Sequence, residues 1–186
     1  PFFESAPPKL QSTMKELVLQ HIDKIIQFKD SKNWVNSNHG IFHALSLLNA
    51  AGLDFVQEVR PNTKQDALAY LSDTLLSILS TNEYFSLEQS AYYHQLAINL
   101  LQSLDSKHLK SIGIDKDSFI MKMIDANYWI TNTEKKLIAI GDTSTVSNIP
   151  EELAYKSVPE KMTNTFTETG FSIAKYESNN RWNHFS

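Results

Sequence analysis

The sequence contains no cysteine, which excludes disulfide bonds and thiolate metal sites. It also lacks long hydrophobic runs. No apolar stretch approaches the ~20 residues that a membrane-spanning helix needs, so we expect no membrane span. Positive charge is not in excess either, because 17 Lys and Arg residues are balanced by 21 Asp and Glu residues. With a net charge of -4 and no basic cluster, the composition gives no indication of a nucleic-acid partner.

Apolar residues recur with the spacing of amphipathic helices through most of the chain. Each of these stretches is long enough for several helical turns, and the loops between them are short to moderate. This pattern is typical of stacked helical hairpins, and we expect a mainly α fold whose helical domain covers residues 1–132. Helices are predicted at residues 10–26, 38–51, 65–80, 90–104 and 116–129.

The pattern changes near Thr131. Residues 136–140 are apolar and short, which favours a strand, and Gly141 follows them as a breaker. Another strand is expected within residues 167–176, whereas residues 179–186 give no sign of a closing element. We therefore expect residues 133–186 to be a loop and short-strand segment at the entry to a β domain, and the chain to be an excerpt from a longer protein.

A candidate site begins at Asn38, at the start of the second predicted helix. Asn38 or Ser37 can cap this helix, because a side-chain oxygen there can accept a backbone N–H of the first turn. Gly40 is unfavourable within a helix, which indicates that another group approaches its backbone closely. The N–H groups at a helix start also favour a bound carboxylate. On local sequence alone, an ordinary helix cap is the simpler interpretation.

His39 and His43 lie four residues apart and share a helix face, a spacing that also occurs in metal sites. No third ligand stands nearby, and no glutamate occupies the position that zinc proteases require. We therefore expect neither a metal nor another cofactor.

A second candidate group surrounds Tyr93, near the start of the fourth predicted helix. Ser90 is suited to cap this helix, which places Tyr93 about one turn inside it, at the head of the apolar stripe. The Tyr93 ring should then point inward while its hydroxyl needs a partner. The spacing places Tyr92 at the surface and leaves the direction of His94 open. Taken alone, this segment fits a core tyrosine with one hydrogen bond.

Three segments together resemble the heparinase II/III family of polysaccharide lyases and its alginate-lyase relatives. Residues 34–48, which include Asn38-His39-Gly40, resemble the family's Asn-His-Gly helix. Residues 88–94 resemble its Glu-x-Ser-Pro-x-Tyr-His segment, and residues 140–143 resemble its Ile-Gly-Asp-Ser stretch. The segments follow one another in the family's order, and the resemblance covers residues 30–175.

The resemblance implies a partial (α/α) toroid that cleaves an acidic polysaccharide or oligosaccharide, heparin-like, heparan-like or alginate-like, by β-elimination next to a uronic acid. Asn38, with His39 as helper, would neutralise the uronic carboxylate while a base removes the C5 proton. Tyr93 would protonate the leaving oxygen, or serve as both acid and base. The expected substrate-binding residues are Trp34, Glu88 and His94.

Family members continue into a β-sandwich that supplies a catalytic histidine, the base in several relatives, and residues 1–186 contain no match to that segment. We therefore expect this domain to pack on the chain, the chain alone to be inactive, and a periplasmic or secreted location. Two departures border the site: Ala91 replaces the usual proline, and residues 82–85 stand where the family has Asp-Gly. We expect both departures to alter the loop beside the site and thereby the choice of substrate.

Two other interpretations stay open. A non-catalytic helical toroid would bind acidic glycans without cleaving them. A purely structural helical domain would use Asn38 as a cap and Tyr93 as a core residue, either far apart or both sealed from solvent. The lyase interpretation instead requires both side chains to open onto one concave surface.

Overall fold

The computed structural model describes residues 5–31, 37–79, 83–86, 88, 90–132, 134–141, 143, 148–155, 163–168, 170–178 and 181–185. Within these ranges the protein is mainly helical, with a small antiparallel sheet near the end of the chain. The chain divides into two compact units, Pro1–Thr74 and Leu75–Ser186. No helix in the described ranges combines the length and the apolar character needed to cross a membrane.

The described residues form seven α-helices, and all five predicted helices are among them. The additional helices, α3 and α6, have six residues each, too few for a clear apolar periodicity. The helices are α1 (Pro8–Lys29), α2 (Asn38–Ala50), α3 (Asp54–Val59), α4 (Thr63–Ile78), α5 (Ala91–Ser103), α6 (Ser106–Ser111) and α7 (Lys116–Ala126).

In the first unit, α1 packs against α2. Pro8 occupies the first turn of α1, where its missing N–H costs no helical hydrogen bond and its fixed φ suits a helix. Each helix buries part of its apolar stripe, which removes hydrocarbon surface from water, whereas Leu10 and Leu17 of α1 stay exposed. The buried residues include Ile22 and Ile25 of α1 and Ile41, Ala44 and Leu47 of α2.

In the second unit, α5 and α6 both contact α7. Asp105 begins α6 by accepting the N–H of Lys107, and Asp115 begins α7 by accepting the N–H of Ser118. Such side-chain caps satisfy backbone donors that the helix itself leaves unpaired. The buried core of this unit includes Ile98, Leu101, Leu109, Met123, Ile130 and Leu153.

The sheet is antiparallel with the strand order β1 (Thr163–Phe166), β2 (Phe171–Ser178), β3 (Arg181–Phe185). Phe166 pairs with Phe171 across the first turn, where Gly170 adopts φ 77°, a left-handed conformation that suits glycine. The strand predicted within residues 167–176 is confirmed by β2.

Two other expectations for this region are wrong. Residues 136–140 form no strand, because Lys136 and Leu137 make only isolated bridges, to Asn148 and Thr131 respectively. Residues 181–185, for which no element was expected, form the strand β3, which pairs with β2 from Ala174↔Phe185 to Ser178↔Arg181. The free edge of β2 supplies the partner that makes this short stretch a strand.

Two contacts anchor the sheet to the helical part of the second unit. The ring of Phe166 lies 4.8 Å from that of Phe85, centroid to centroid. The buried amine of Lys175 donates to the carbonyl oxygens of Tyr128 and Thr131. Burial lowers the pKa of Lys175 to about 8.

Candidate functional site

The helix α2 begins at Asn38, as predicted, after Ser37 in an extended conformation (φ -151°, ψ 178°). The Ser37 side chain makes no capping hydrogen bond, so the capping bond considered for it is not formed. Asn38 is only 6% exposed, whereas His39 is exposed. Of the two residues expected to face a substrate carboxylate, His39 presents its side chain to solvent and Asn38 is almost covered.

Gly40 is approached closely, as its position in the first turn predicts, and the approaching group is Thr74 of α4. A Cβ atom at Gly40 would lie 2.4 Å from Thr74 Oγ1 and 2.6 Å from Thr74 Cγ2. Glycine is therefore explained by packing within the first unit rather than by a ligand. The Thr74 hydroxyl is buried and has no hydrogen-bond partner among the described residues.

His43, one turn beyond His39, contacts Tyr70 of α4. His43 Nδ1 lies 3.2 Å from the Tyr70 hydroxyl, and the two rings are stacked with an interplanar angle of 7°. Burial raises the pKa of Tyr70 to about 12, so its hydroxyl keeps its proton. Burial also lowers the pKa of His43, and the nearby His39 and His21 lower it further. Both effects favour the neutral form of the His43 imidazole.

This pair was absent from the sequence-based expectations. A tyrosine on the apolar stripe of a helix signals that its hydroxyl needs a polar partner, but the partner lies 27 residues away along the chain. Within the described ranges, no group of three or more His, Asp or Glu side chains is arranged to hold a metal ion. Trp34, an expected substrate-binding residue, lies outside the described residues.

The start of α5 is held by two hydroxyl groups. Ser90 caps the helix, as predicted, by accepting the N–H of Tyr93 at 3.5 Å. Thr143 Oγ1 lies 3.1 Å from Ser90 Oγ and accepts the N–H of Tyr92 at 3.0 Å. Thr143 in turn donates to the carbonyl of Ile140 at 2.7 Å. Thr143 thus meets Ser90 and Tyr92 at the first turn of α5, and these residues come from two of the segments that carry the family resemblance.

Tyr93 is half-buried, and Tyr92 is 47% exposed, which places Tyr92 at the surface as its spacing predicts. The two rings lie 5.8 Å apart at 61°, an edge-to-face geometry. The ring of Tyr93 thus packs on one side while the residue keeps some surface. Its accessibility differs from that of a sealed core tyrosine.

His94 points fully into the second unit. Its Nδ1 accepts the backbone N–H of Ser86 at 3.3 Å, and its Nε2 donates to the carbonyl of Met123 at 3.0 Å. These partners define the neutral tautomer that carries its proton on Nε2. Its ring stacks on Phe85 with centroids 4.6 Å apart, and burial lowers the pKa of His94 to about 4. His94 links α5, α7 and the preceding loop, and both of its nitrogens bind protein atoms.

The loop before α5 contains Glu88, a half-buried residue whose N–H donates to Ser86 Oγ at 3.3 Å. Earlier in this loop, Tyr84 has φ 54°, a left-handed conformation that costs a non-glycine residue ~1–2 kcal/mol. Tyr84 is held there by Lys122, which donates to its hydroxyl at 2.8 Å, and by the ring of Phe119 at 5.3 Å.

The candidate residues are divided between the two units. Asn38 and His39 belong to the first unit, and Glu88, Tyr93 and His94 belong to the second. Within the second unit, hydrogen bonds connect Ser86 of the loop and Thr143 to the start of α5. The chain has no significant match among family models, curated proteins or solved structures.

Proposed function

We propose that this chain is the helical part, a partial (α/α) toroid, of a polysaccharide lyase similar to the heparinase II/III family. Its substrate is a uronic-acid-containing glycan, which it cleaves by β-elimination together with a β-sandwich domain that supplies the catalytic base. The main support for this function is the hydrogen bond between the hydroxyls of Thr143 and Ser90, 3.1 Å apart, at the first turn of α5. Two segments that resemble the family on sequence alone are thereby brought together around Tyr93.

Tyr93 is the proposed general acid. A proton donor must be held in position, since a small misplacement of a catalytic group slows a reaction steeply. The capping bond from Ser90 fixes the backbone of Tyr93, and the edge-to-face contact with Tyr92 restricts its ring. Tyr93 is half-buried, so the restricted residue keeps part of its surface exposed.

Asn38 and His39 are the proposed partners of the substrate carboxylate. As charge spreads from C5 into the carboxylate in the transition state, an amide or imidazole donor stabilises it. His39 is exposed and can reach a substrate directly. Asn38 is 6% exposed, so His39 is the more accessible of the two.

His94 takes a positioning role in this proposal instead of contacting substrate. Its bonds to Ser86 and Met123 hold the loop before α5, to which Glu88 belongs, against α7. Glu88 stays a candidate for substrate binding.

The test is the ultraviolet absorbance of unsaturated uronic products, measured with this chain joined to the proposed β-sandwich domain, on alginate and on heparan-type glycans. Tyr93→Phe should lower kcat by ~10²–10⁴-fold, the usual contribution of a general acid or base. Tyr92→Phe is the matched control, because it removes a neighbouring hydroxyl from an exposed ring, and it should keep wild-type kcat. A Tyr93→Phe variant with wild-type activity on a cleaved glycan would refute the assignment.

Two outcomes would favour the other interpretations. Glycan binding with no rise in absorbance would identify a non-catalytic glycan-binding domain. Absence of both binding and cleavage would favour a structural helical domain, an interpretation that the packing of Thr74 on Gly40 and the burial of Asn38 also fit.

A further inference from the structure

The packed face of the small sheet carries a lysine among apolar residues. Phe166 of β1 and Ile173 and Lys175 of β2 are buried, whereas Thr165 and Ser172, which alternate with them along the strands, are exposed. Since successive residues of a strand point to opposite faces, the three buried residues share one face of the sheet. Lys175 is only 5% exposed, a position that lysine rarely takes unless its charge is paired.

The Lys175 amine contacts carbonyls and rings of the helical part of the second unit. It donates to the carbonyl oxygens of Tyr128 and Thr131 in the turns after α7, the second bond measuring 2.8 Å. It lies 3.8 Å from the ring centroid of Tyr128 and 6.0 Å from that of Tyr155, and aromatic faces attract a cation. The ion pairs of the described residues do not include Lys175, so no carboxylate among these residues balances its charge.

The titratable groups around this amine come from three elements. Tyr128 lies in the turns after α7, and Tyr155 follows the short 3₁₀ helix Glu151–Leu153. On β3, His184 stands opposite Lys175 in the strand register. Burial raises the pKa of Tyr128, and the nearby Tyr155 raises it further, so the Tyr128 phenol supplies no negative charge at neutral pH.

The surroundings of the amine suit its neutral form as well as its charged form. A neutral amine keeps two N–H donors, which match the two carbonyl acceptors. The third proton of the ammonium ion meets only the ring faces, while its charge is withdrawn from water at a cost. Burial outweighs the attraction of the rings and lowers the pKa of Lys175 to about 8. Deprotonation therefore removes a buried charge and sacrifices no hydrogen bond to a carbonyl.

We propose that Lys175 is a proton-sensitive latch, which holds the sheet on the turns after α7 most tightly when its amine is neutral. When the sheet is undocked, the amine meets water and keeps its proton up to the ordinary lysine pKa of 10.5. Docking therefore releases a proton between pH 8 and 10.5, so docking strengthens as pH rises through this window and is weakest below it. The latch requires none of the proposed glycan chemistry.

The latch also affects the loop before α5, because the sheet and this loop are in contact. Glu83 accepts the Thr167 hydroxyl at 2.9 Å and the N–H of Glu168 at 3.1 Å, at the turn between β1 and β2. The ring of Phe85 lies 4.8 Å from that of Phe166, centroid to centroid. A sheet that undocks withdraws these contacts, so the latch controls how firmly the loop is held.

The experiment is amide hydrogen exchange of the full chain at pH 7 and pH 9, followed by mass spectrometry. Each rate is divided by that of an unstructured chain at the same pH, which leaves the opening equilibrium. A small sheet depends on packing against helices, so undocking should expose its amides. Peptides from residues 163–178 should gain about tenfold in protection from pH 7 to pH 9, and peptides from α2 should change by less than about twofold. Tyrosine ordinarily titrates near pH 10, above this range.

Lys175→Met keeps most of the side-chain length and removes the titrating amine. In this variant the protection of residues 163–178 should differ by less than about twofold between the two pH values. Lys110→Met is the matched control, because Lys110 is an exposed lysine of α6 in the same unit, and it should retain the gain of about tenfold. Wild-type protection that stays constant or falls as pH rises, or a gain of about tenfold that survives in Lys175→Met, would overturn the latch.

A second measurement on the wild-type protein covers the case in which Lys175→Met does not fold. The carbon-13 signal of Lys175 Cε, assigned through its contact with the Tyr128 ring, is followed by nuclear magnetic resonance as pH is raised. This signal should titrate near pH 8. A titration near pH 10.5 would show an amine as free to hold its proton as one in water, and the proposal would be wrong.

Discussion

Gly40→Ala places a methyl carbon where Thr74 already stands. The new Cβ would lie 2.4 Å from Oγ1, 2.6 Å from Cγ2 and 3.1 Å from Cβ of Thr74. Threonine is branched at Cβ and its rotamers are restricted within a helix, so the side chain cannot simply turn away. We therefore expect α2 and the adjacent part of α4 to shift apart, with a loss of packing in the first unit.

The expected magnitude follows from two opposing effects. Overpacking of a filled interior costs ~1–3 kcal/mol, whereas replacing glycine by alanine within a helix returns ~0.5–1 kcal/mol. The free energy of unfolding should therefore fall, by up to ~2.5 kcal/mol, even though helix propensity alone predicts stabilisation. The sign of the change is the informative part of the measurement.

The assay is urea denaturation followed by circular dichroism. Gly52→Ala is the matched control, because its nearest neighbour would be Asn49 O at 3.4 Å, an ordinary contact, and its stability should change by less than ~0.5 kcal/mol. Thr74→Ala removes both of the atoms closest to the new methyl group. Gly40→Ala should therefore destabilise the Thr74→Ala variant less than it destabilises the wild type, with a coupling free energy of ~0.5–3 kcal/mol. Equal or greater stability of Gly40→Ala than wild type would refute the close packing of Gly40 on Thr74.

Two further predictions concern the second unit. Burial lowers the pKa of His94 from 6.5 to about 4. Between these two pH values, His94 binds a proton in the unfolded protein but not in the folded protein. The free energy of unfolding should be highest above pH 6.5 and fall as pH drops through this window, by up to about 3 kcal/mol. His94→Gln should flatten this part of the pH profile in urea titrations, and an unchanged slope would contradict the assignment. Thr143→Val should lower the free energy of unfolding by ~1–2 kcal/mol, because it removes the hydroxyl that accepts from Tyr92 and joins Ser90. Thermal denaturation of Thr143→Val, Ser90→Ala and the double variant should show less than additive losses, and full additivity would mean that the two hydroxyls act independently.

The N-termini of the helices show which capping bonds can be predicted from local sequence. Ser90 lies three residues before the N–H that it accepts, so its capping role follows from residue type and spacing alone. Asp105 and Asp115 are also residues of a capping type placed just before a helix. Asp105 precedes α6, which is too short to show a clear apolar periodicity. Ser37 shows the limit, because a suitable residue stands at the start of α2 without making the bond.

The candidate site shows what local sequence does not contain. Tyr93 stands at the start of the apolar stripe of α5, and this position predicts a ring that points inward. In the structure Tyr93 is only half-buried. The direction of His94 stayed open, and its full burial depends on Ser86 and Met123, the latter 29 residues away. Helical spacing defines which residues share a face, but which neighbour covers that face depends on the packing of other elements.

By itself, the sequence determined the helical class, the five longer helices, the β2 strand and the caps whose partners lie within one turn. These features depend on residue type and periodicity, which act over a few residues. Only the tertiary structure decided that Thr74 fills the space beside Gly40 and that Thr143 reaches Ser90 across 53 residues. Such contacts form when whole faces are buried together, and the free energy that selects them comes from removing shared apolar surface from water.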